Sequence, residues 1–261
     1  YNHNPLLYDR KDINFKELNY VPWPSQEDMA EGIKQVNSYV KELFGKNVKI
    51  YTYVPPSNML KKEGVEVLAK HFPDLTTISS IFYGMDEGGA YIQEVGRNKD
   101  VPRLYNLPRF SSGFYYDEDE MWGIFNAFAV YGYWSHFMHP DDLISSDRSR
   151  NKTWSELKEE FEKILLIMEE KLPFLEPMKS VEMTKRYMDI EDMKIMSERN
   201  GDSLHVGMTD FRGPFKMLVR IRNKKIRNVS SGKYKEVYKA GSSRIYLITV
   251  EKEDMTLQLG D

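Results

Sequence analysis

A chain of 261 residues with 41% hydrophobic and 13% aromatic content can bury a sizeable core, which excludes a disordered polymer. Its 37 basic and 40 acidic side chains leave a net charge of −3, without the basic excess that recruits nucleic acid or anionic lipid. Cysteine is absent, which removes disulfides, thiol nucleophiles and thiolate metal sites together, and no apolar run approaches the roughly 18 residues of a transmembrane segment.

The chain opens at Tyr1 with neither the charged start nor the apolar core of a signal peptide, and reads as a portion of something longer. From about residue 20 to 172, strand-like and helix-like stretches alternate. "SQEDMAEGIKQVNSYVKELFG" predicts a helix capped by Ser25 and stopped by Gly45, with Met29, Ile33, Val36, Val40 and Leu43 at helical spacing. "NVKIYTYV" predicts a strand ended by Pro55 and Pro56. A helix over "NMLKKEGVEVLAKHF", a strand over "LTTISSIFY" and a shorter one over "LYNLPRF" follow. "DEDEMWGIFNAFAVYG" is a helix capped by Asp117, "YWSHFM" a strand, and "TWSELKEEFEKILLIMEEKL" a helix whose Thr153 and Glu156 form a capping box. Repeated strand-then-helix order argues for parallel strands covered by helices, barrel-like or open.

After Pro177 there is one short helix, "SVEMTKRYM", and then the pattern becomes β: "MKIMSER", "DSLHVGM", "FKMLVRIR", "KEVYKA", "RIYLITVE" and "MTLQLG". Turn residues separate these runs at roughly 8–12 residue intervals, the signature of a sandwich. The expected division is a region over 1–176 and a β-rich domain over 177–261.

In an α/β sheet, ligands meet the carboxyl ends of parallel strands. Three such ends are unusually polar: "YVPPSN", "LPRFSSG" and "YWSHFMHPDD". His136 and His139 lie three apart, so one metal could take both only if the chain bends between them, with Asp141 or Asp142 as a third ligand. One histidine tuned by a carboxylate could equally do acid–base work. The structural alternative is a core histidine followed by a helix-entry turn. Arg109 could clamp a carboxylate or orient a sugar oxygen, or form a plain salt bridge. Asn58 could bind a hydroxyl or cap the next helix. Tyr116 and Trp134 belong to a dense aromatic set that suits the C–H faces of a sugar as well as it suits packing. The carboxylates of "YYDEDEMW" read as first-turn dipole partners. No phosphate loop, dinucleotide fingerprint or nucleophile elbow is present.

The order "YVPPSNMLKKEGVEVLAKHFPDLTTISS", "LPRFSSGF" and "GYWSHFMHPDD" resembles bacterial proteins described as predicted glycoside hydrolase/deacetylase. These are distant relatives of the polysaccharide deacetylases and accompany exopolysaccharide operons. The resemblance implies a partial or distorted (β/α) barrel followed by a smaller antiparallel β-sandwich-like region. It implies a carbohydrate-active hydrolase that deacetylates or cleaves a bacterial exopolysaccharide, at the cell envelope or outside it, with the exopolysaccharide synthesis machinery as partner. In the deacetylases an Asp–His–His triad holds a divalent metal such as zinc. "YVPPSN" falls at the third deacetylase motif without its usual arginine, and "SHFMHP" falls at the last, making His136 or His139 the counterpart of the acid. The aspartate pair of the first motif has no match, and His3 is at best a remnant of the His-x-x-x-His motif.

The expected site is therefore His136, His139 and Asp141 for chemistry, with Asn58, Arg109, Tyr116 and Trp134 for substrate. Glycosidic cleavage would need a second carboxylate, such as Asp86 or Glu94, from another loop. The alternative is a non-catalytic glycan-binding or assembly module on a degenerate barrel.

Overall fold

The computed structural model describes Leu6, residues 21–80 and residues 94–261. His3, Asp86 and the end of the predicted strand "LTTISSIFY" lie outside the described residues. The chain divides into two compact units between Thr184 and Lys185.

In the first unit, helix α1 (Gln26–Phe44) begins where Ser25 accepts from the Asp28 amide and ends at Gly45, whose φ of 96° suits a residue without a Cβ. Its Met29 and Ile33 pack on Val65 and Leu68 of helix α2 (Lys62–His71) and on Leu75, Ile78 and Leu104 in one apolar core. Val36 and Leu43, on the same predicted stripe, stay exposed. Arg103 donates to the carbonyls of Ala69, Phe72 and Leu75, so a cation satisfies acceptors that the end of α2 leaves open.

Strands β1 (Thr52–Tyr53), β2 (Thr77–Ile78) and β4 (Tyr105–Asn106) run parallel, β1 to β2 and β2 to β4. Strand β3 (Gly96–Arg97) pairs antiparallel on the outer side of β4, giving the order β1-β2-β4-β3. Beyond Pro108 the chain pairs elsewhere: β5 (Ser111–Ser112) lies parallel to β6 (His136–Phe137) as a separate two-stranded sheet.

The expected (β/α) barrel is therefore overturned. Among the described residues no barrel closes: the four-stranded sheet ends on an antiparallel edge strand, and β5–β6 stand apart from it. Closure needs a continuous staggered ladder around the ring, and strands of two residues interrupted by prolines make too few ladder bonds to provide one.

Helix α3 (Glu118–Tyr131) starts as expected, with Asp117 accepting from the Glu120 amide. The Glu120 carboxylate reaches instead to the Ser112 amide. The short α4 (Ser146–Ser149) leads to α5 (Trp154–Lys171), where Thr153 and Glu156 form the full capping box. Met121 and Ile124 of α3 pack on Ile164 and Met168 of α5 in a second core.

Helix α6 (Ser180–Asp192) begins in this unit, and Thr184 is tied to β2 by a 2.7 Å hydrogen bond with Thr77, both hydroxyls being buried. Thr184→Val is expected to destabilise by about 1–3 kcal/mol, because Thr77 keeps only a 3.3 Å contact with Thr76. Denaturant unfolding measures it; an unchanged midpoint would show that the pair contributes nothing.

The second unit holds two antiparallel sheets. One has the order β10-β13-β8-β7, from β7 (Lys194–Asn200), β8 (Ser203–Thr209), β10 (Lys225–Val229) and β13 (Asp254–Gly260). The other has the order β11-β12-β9, from β9 (Phe215–Arg222), β11 (Lys233–Ala240) and β12 (Ser243–Val250). Val206, Ile221, Tyr246, Ile248 and Leu257 meet in their common core. Alternation along β12 is clean, with Tyr246, Ile248 and Val250 buried and Ile245 and Leu247 on the other face. Strand β10, "KIRNV", escaped the sequence reading because a bulge between Ile226 and Asn228 breaks its alternation.

Candidate functional site at the strand ends

The carboxyl ends of β1, β2 and β4 meet. The Ser79 amide donates to the Tyr53 carbonyl, the Leu107 amide to Ile78 and the Arg109 amide to Ser80. Past β1 the chain folds into a 3₁₀ turn, Pro56–Asn58, in which Asn58 takes φ 57°, a left-handed conformation that asparagine tolerates better than most residues. Asn58 is not the cap of α2; Lys61 holds that position. Its side-chain oxygen instead accepts from the Arg109 guanidinium.

Arg109 is buried, with 8% of its surface exposed. Its Nε donates to the Ser80 carbonyl at 3.1 Å, and its guanidinium carbon lies 4.1 Å from the centre of the Phe137 ring. No carboxylate pairs with it among the described residues. Burial pushes it down to about 10, so it is still a cation at neutral pH. A desolvated guanidinium held by a carbonyl, an amide oxygen and an aromatic face keeps unused donors for a planar anion or an acyl oxygen.

Strand alternation on β6 sends His136 and Phe137 to opposite faces. Phe137 meets Arg109 on one side and His139 on the other, where the rings stand edge to face at 4.2 Å. Asn58, Arg109, Phe137 and His139 thus form one continuous group.

His139 is extended (φ −99°, ψ 138°), as expected before Pro140, but the chain then enters a 3₁₀ turn, Pro140–Leu143. Asp142 closes that turn. Its Oδ2 accepts from the His139 amide at 2.9 Å, and its Oδ1 lies 3.7 Å from His139 Nδ1 and 3.1 Å from an Arg148 nitrogen. Arg148 also lies 3.6 Å from Asp141. His139 is half exposed, and its Nδ1 lies 3.7 Å from a buried carboxylate, near it but beyond hydrogen-bond distance.

His139, Asp141 and Asp142 are close enough together to offer one oxygen or nitrogen each to a cation. They do not fit a resident metal. Arg148 already supplies the positive charge to both carboxylates, and the second oxygen of Asp142 is committed to the backbone. The cluster is an ion-paired turn.

His136 belongs to a different group. Its Nε2 lies 2.7 Å from the Gly113 carbonyl, which can only accept, so the proton sits on Nε2. Its Nδ1, 2.8 Å from Ser111 Oγ, therefore accepts the hydroxyl proton, and that Oγ accepts the Trp134 indole N–H at 2.8 Å. Both ring nitrogens of His136 and the Ser111 hydroxyl are thus engaged. Burial pushes the His136 pKa down, against the opposing effect of the bond to Gly113. Trp134 and Tyr116 pack on the α3–α5 core, and Lys163 lies over the Tyr116 ring at 3.4 Å. The two aromatics expected to bind substrate thus stand with His136, while Asn58, Arg109 and His139 stand together around Phe137, and Asp141 lies beside His139, paired with Arg148.

Three contributors escaped the sequence reading. Ser80 acts through its carbonyl, which carries no residue signature. Ser111 in β5 and Arg148 in α4 come from ordinary Ser- and charge-rich stretches, and only their distance from polar neighbours in the fold singles them out. A separate concavity of about 600 Å³ lies along α3, lined by Trp122, Ala127 and Val130 among others; it is apolar and holds neither a histidine nor a cation.

Fold and site together define an α/β unit with a cationic site at parallel strand ends, linked to an all-β unit. The chain belongs to family DUF2194, described as an uncharacterised protein conserved in bacteria, whose model matches residues 1–247. No curated protein and no solved structure matches it. Among the described residues, no helix is long and apolar enough to cross a membrane.

Proposed function

We propose that the α/β unit is a carbohydrate-directed acyl hydrolase, removing acetyl groups from a bacterial exopolysaccharide at the cell envelope or outside it. The observation that supports it is the meeting of Asn58, Arg109, Phe137 and His139 at the carboxyl ends of the strands, with a buried guanidinium that no carboxylate pairs among the described residues. In this reading Arg109 receives the negative charge that develops on the acyl oxygen when water attacks. His139 takes the proton of that water and returns it to the leaving amine, and Asp142 orients its ring. Asn58 and Phe137 position the sugar. No step runs through a metal, because Arg148 occupies the carboxylates that would hold it.

Glycosidic cleavage is less well supported. Asp141 and Asp142 share one arginine on one turn, whereas that chemistry needs two carboxylates on opposite sides of a bond.

The test is acetate release from a poly-N-acetylhexosamine by the purified chain, beside His139→Ala. Release that falls by about 100-fold or more in the variant supports the reading, in line with the usual contribution of a general acid–base. Polymer binding without release by the unaltered chain would overturn the hydrolase in favour of a glycan-binding module. The occupied nitrogens of His136 are the observation that favours this second reading.

A further inference from the structure

Charge is unevenly divided along the chain. Residues 185–261 carry 16 Lys and Arg against 11 Asp and Glu, whereas residues 1–184 carry 21 against 29. Within the β unit the excess is concentrated on one sheet face.

The register of β11-β12-β9 shows which side chains share it. Tyr246, Ile248 and Val250 of β12 point into the core, so their alternates Ile245, Leu247 and Thr249 point outward. Opposite these on β9 stand Arg220, Leu218 and Lys216, with Arg222 opposite Ser243. Opposite them on β11 stand Tyr238, Lys235 and Lys233. The outward face therefore carries five basic side chains and no carboxylate. Glu236, the one acid on these three strands, has the inward register and is bonded to Arg244 and the Tyr246 hydroxyl.

The layout is two cationic rails with an apolar floor. Lys216 on β9 and Lys233 on β11 are two strand spacings apart, about 9.5 Å, and the pairs Arg220/Arg222 and Lys233/Lys235 are each about 6.8 Å apart along their strands. Leu218 between them is 51% exposed, and Tyr238 is 58% exposed at one end. Arg220, Arg222, Lys233 and Lys235 have no carboxylate partner among the described residues. Beside Arg220 and Arg222 the face turns into a concavity of about 420 Å³ over Leu204, Ile221 and Leu259, where Arg199 and Lys224 add further positive charge. Asp202 neutralises Lys224 there.

We infer that this face binds an acidic polysaccharide, a polymer of carboxylate-bearing sugars lying along the strands. Pyranose rings present C–H faces that suit an aliphatic floor and a tyrosine, and successive sugars turned over relative to each other direct carboxylates to both rails in turn. A nucleic acid would use stacked aromatics, and this face has one. A membrane would need apolar side chains standing above the cations, whereas Ile245 and Leu247 lie half-buried between them.

The inference rests on the proposed function only in taking a polysaccharide as ligand, and it shares none of the hydrolase's residues. Affinity electrophoresis of the full chain through gels containing polygalacturonate, neutral amylose or neither measures it, with single-stranded DNA and phosphatidylglycerol vesicles as competitors. Polygalacturonate should retard the chain, amylose should not, and added salt should weaken the retardation. The double variants Arg220→Glu/Arg222→Glu and Lys233→Glu/Lys235→Glu should each raise the dissociation constant at least tenfold, and Tyr238→Ala about tenfold, while Arg109→Met leaves it unchanged. If a charge reversal disturbs the circular dichroism spectrum, the glutamine versions of the same pairs should give the same direction. Absence of retardation, wild-type affinity in both double variants, or competition by DNA or vesicles at equal or lower concentration would each overturn it. Loss of acetate release with intact retardation would overturn only the hydrolase.

Discussion

Replacing Arg109 with methionine should abolish acyl hydrolysis and also cost about 2–4 kcal/mol of stability, because both consequences come from the same buried cation. The truncation leaves the Asn58 oxygen without its donor, removes the Nε bond to Ser80 and strips the guanidinium from the Phe137 face. Arg109→Lys separates the two effects. A lysine keeps the charge but cannot bridge Ser80 and Asn58 with one planar fork, so stability should recover by about half while hydrolysis stays down by at least tenfold. Urea unfolding and acetate release on the same preparations provide the comparison. Full hydrolysis in the lysine variant would mean that Arg109 only ties the loops together.

His136→Ala should be among the most destabilising single changes in the α/β unit, at about 2–4 kcal/mol. It leaves the Gly113 carbonyl without the His136 donor and the Ser111 hydroxyl proton without its acceptor, and opens a cavity beside Phe161, whose ring centre is 5.2 Å away. The same residue makes stability depend on pH. Its folded pKa lies below the ordinary histidine value of 6.5, with burial as the main cause. Between the folded and unfolded pKa values the unfolded chain binds the extra proton, so stability rises with pH. The contribution is complete above pH 6.5 and is lost as pH falls from there through the folded pKa, with a slope of at most about 1.4 kcal/mol per pH unit. His136→Gln, which cannot titrate, should flatten that part of the curve. An equal slope in the variant would assign the effect to another group.

Much of the local structure was legible because it depends on neighbours in sequence. Ser25, Asp117 and the Thr153–Glu156 pair cap helices through atoms three residues away, so the letters suffice. The turn-punctuated strands after Met193 were legible for a similar reason, since alternation and turn chemistry are short-range properties. The barrel was not. Whether short parallel strands close a ring depends on which strand takes the outer edge, and β3 took it antiparallel through pairings some ten residues apart and invisible in composition.

The site shows the same division. Asn58, Arg109 and His139 could be singled out because polar residues after strand-like runs fall at one end of a parallel sheet. What each does was decided by contacts spanning dozens of positions. Asn58 and Arg109 are 51 residues apart and bonded, and His136 is fixed by Ser111, 25 residues earlier. The sequence by itself determined the five longer helices, the caps at Ser25, Asp117 and Thr153, and the residue types available for chemistry. Only the tertiary structure decided that Arg109 is buried against Ser80, Asn58 and Phe137, that Arg148 holds the aspartates a metal would need, and that one histidine of the pair is locked while the other is half exposed. Burial and hydrogen-bond partnership are properties of packing between distant segments, and a hydrogen bond formed across the fold leaves no mark on the residues that lie between its ends.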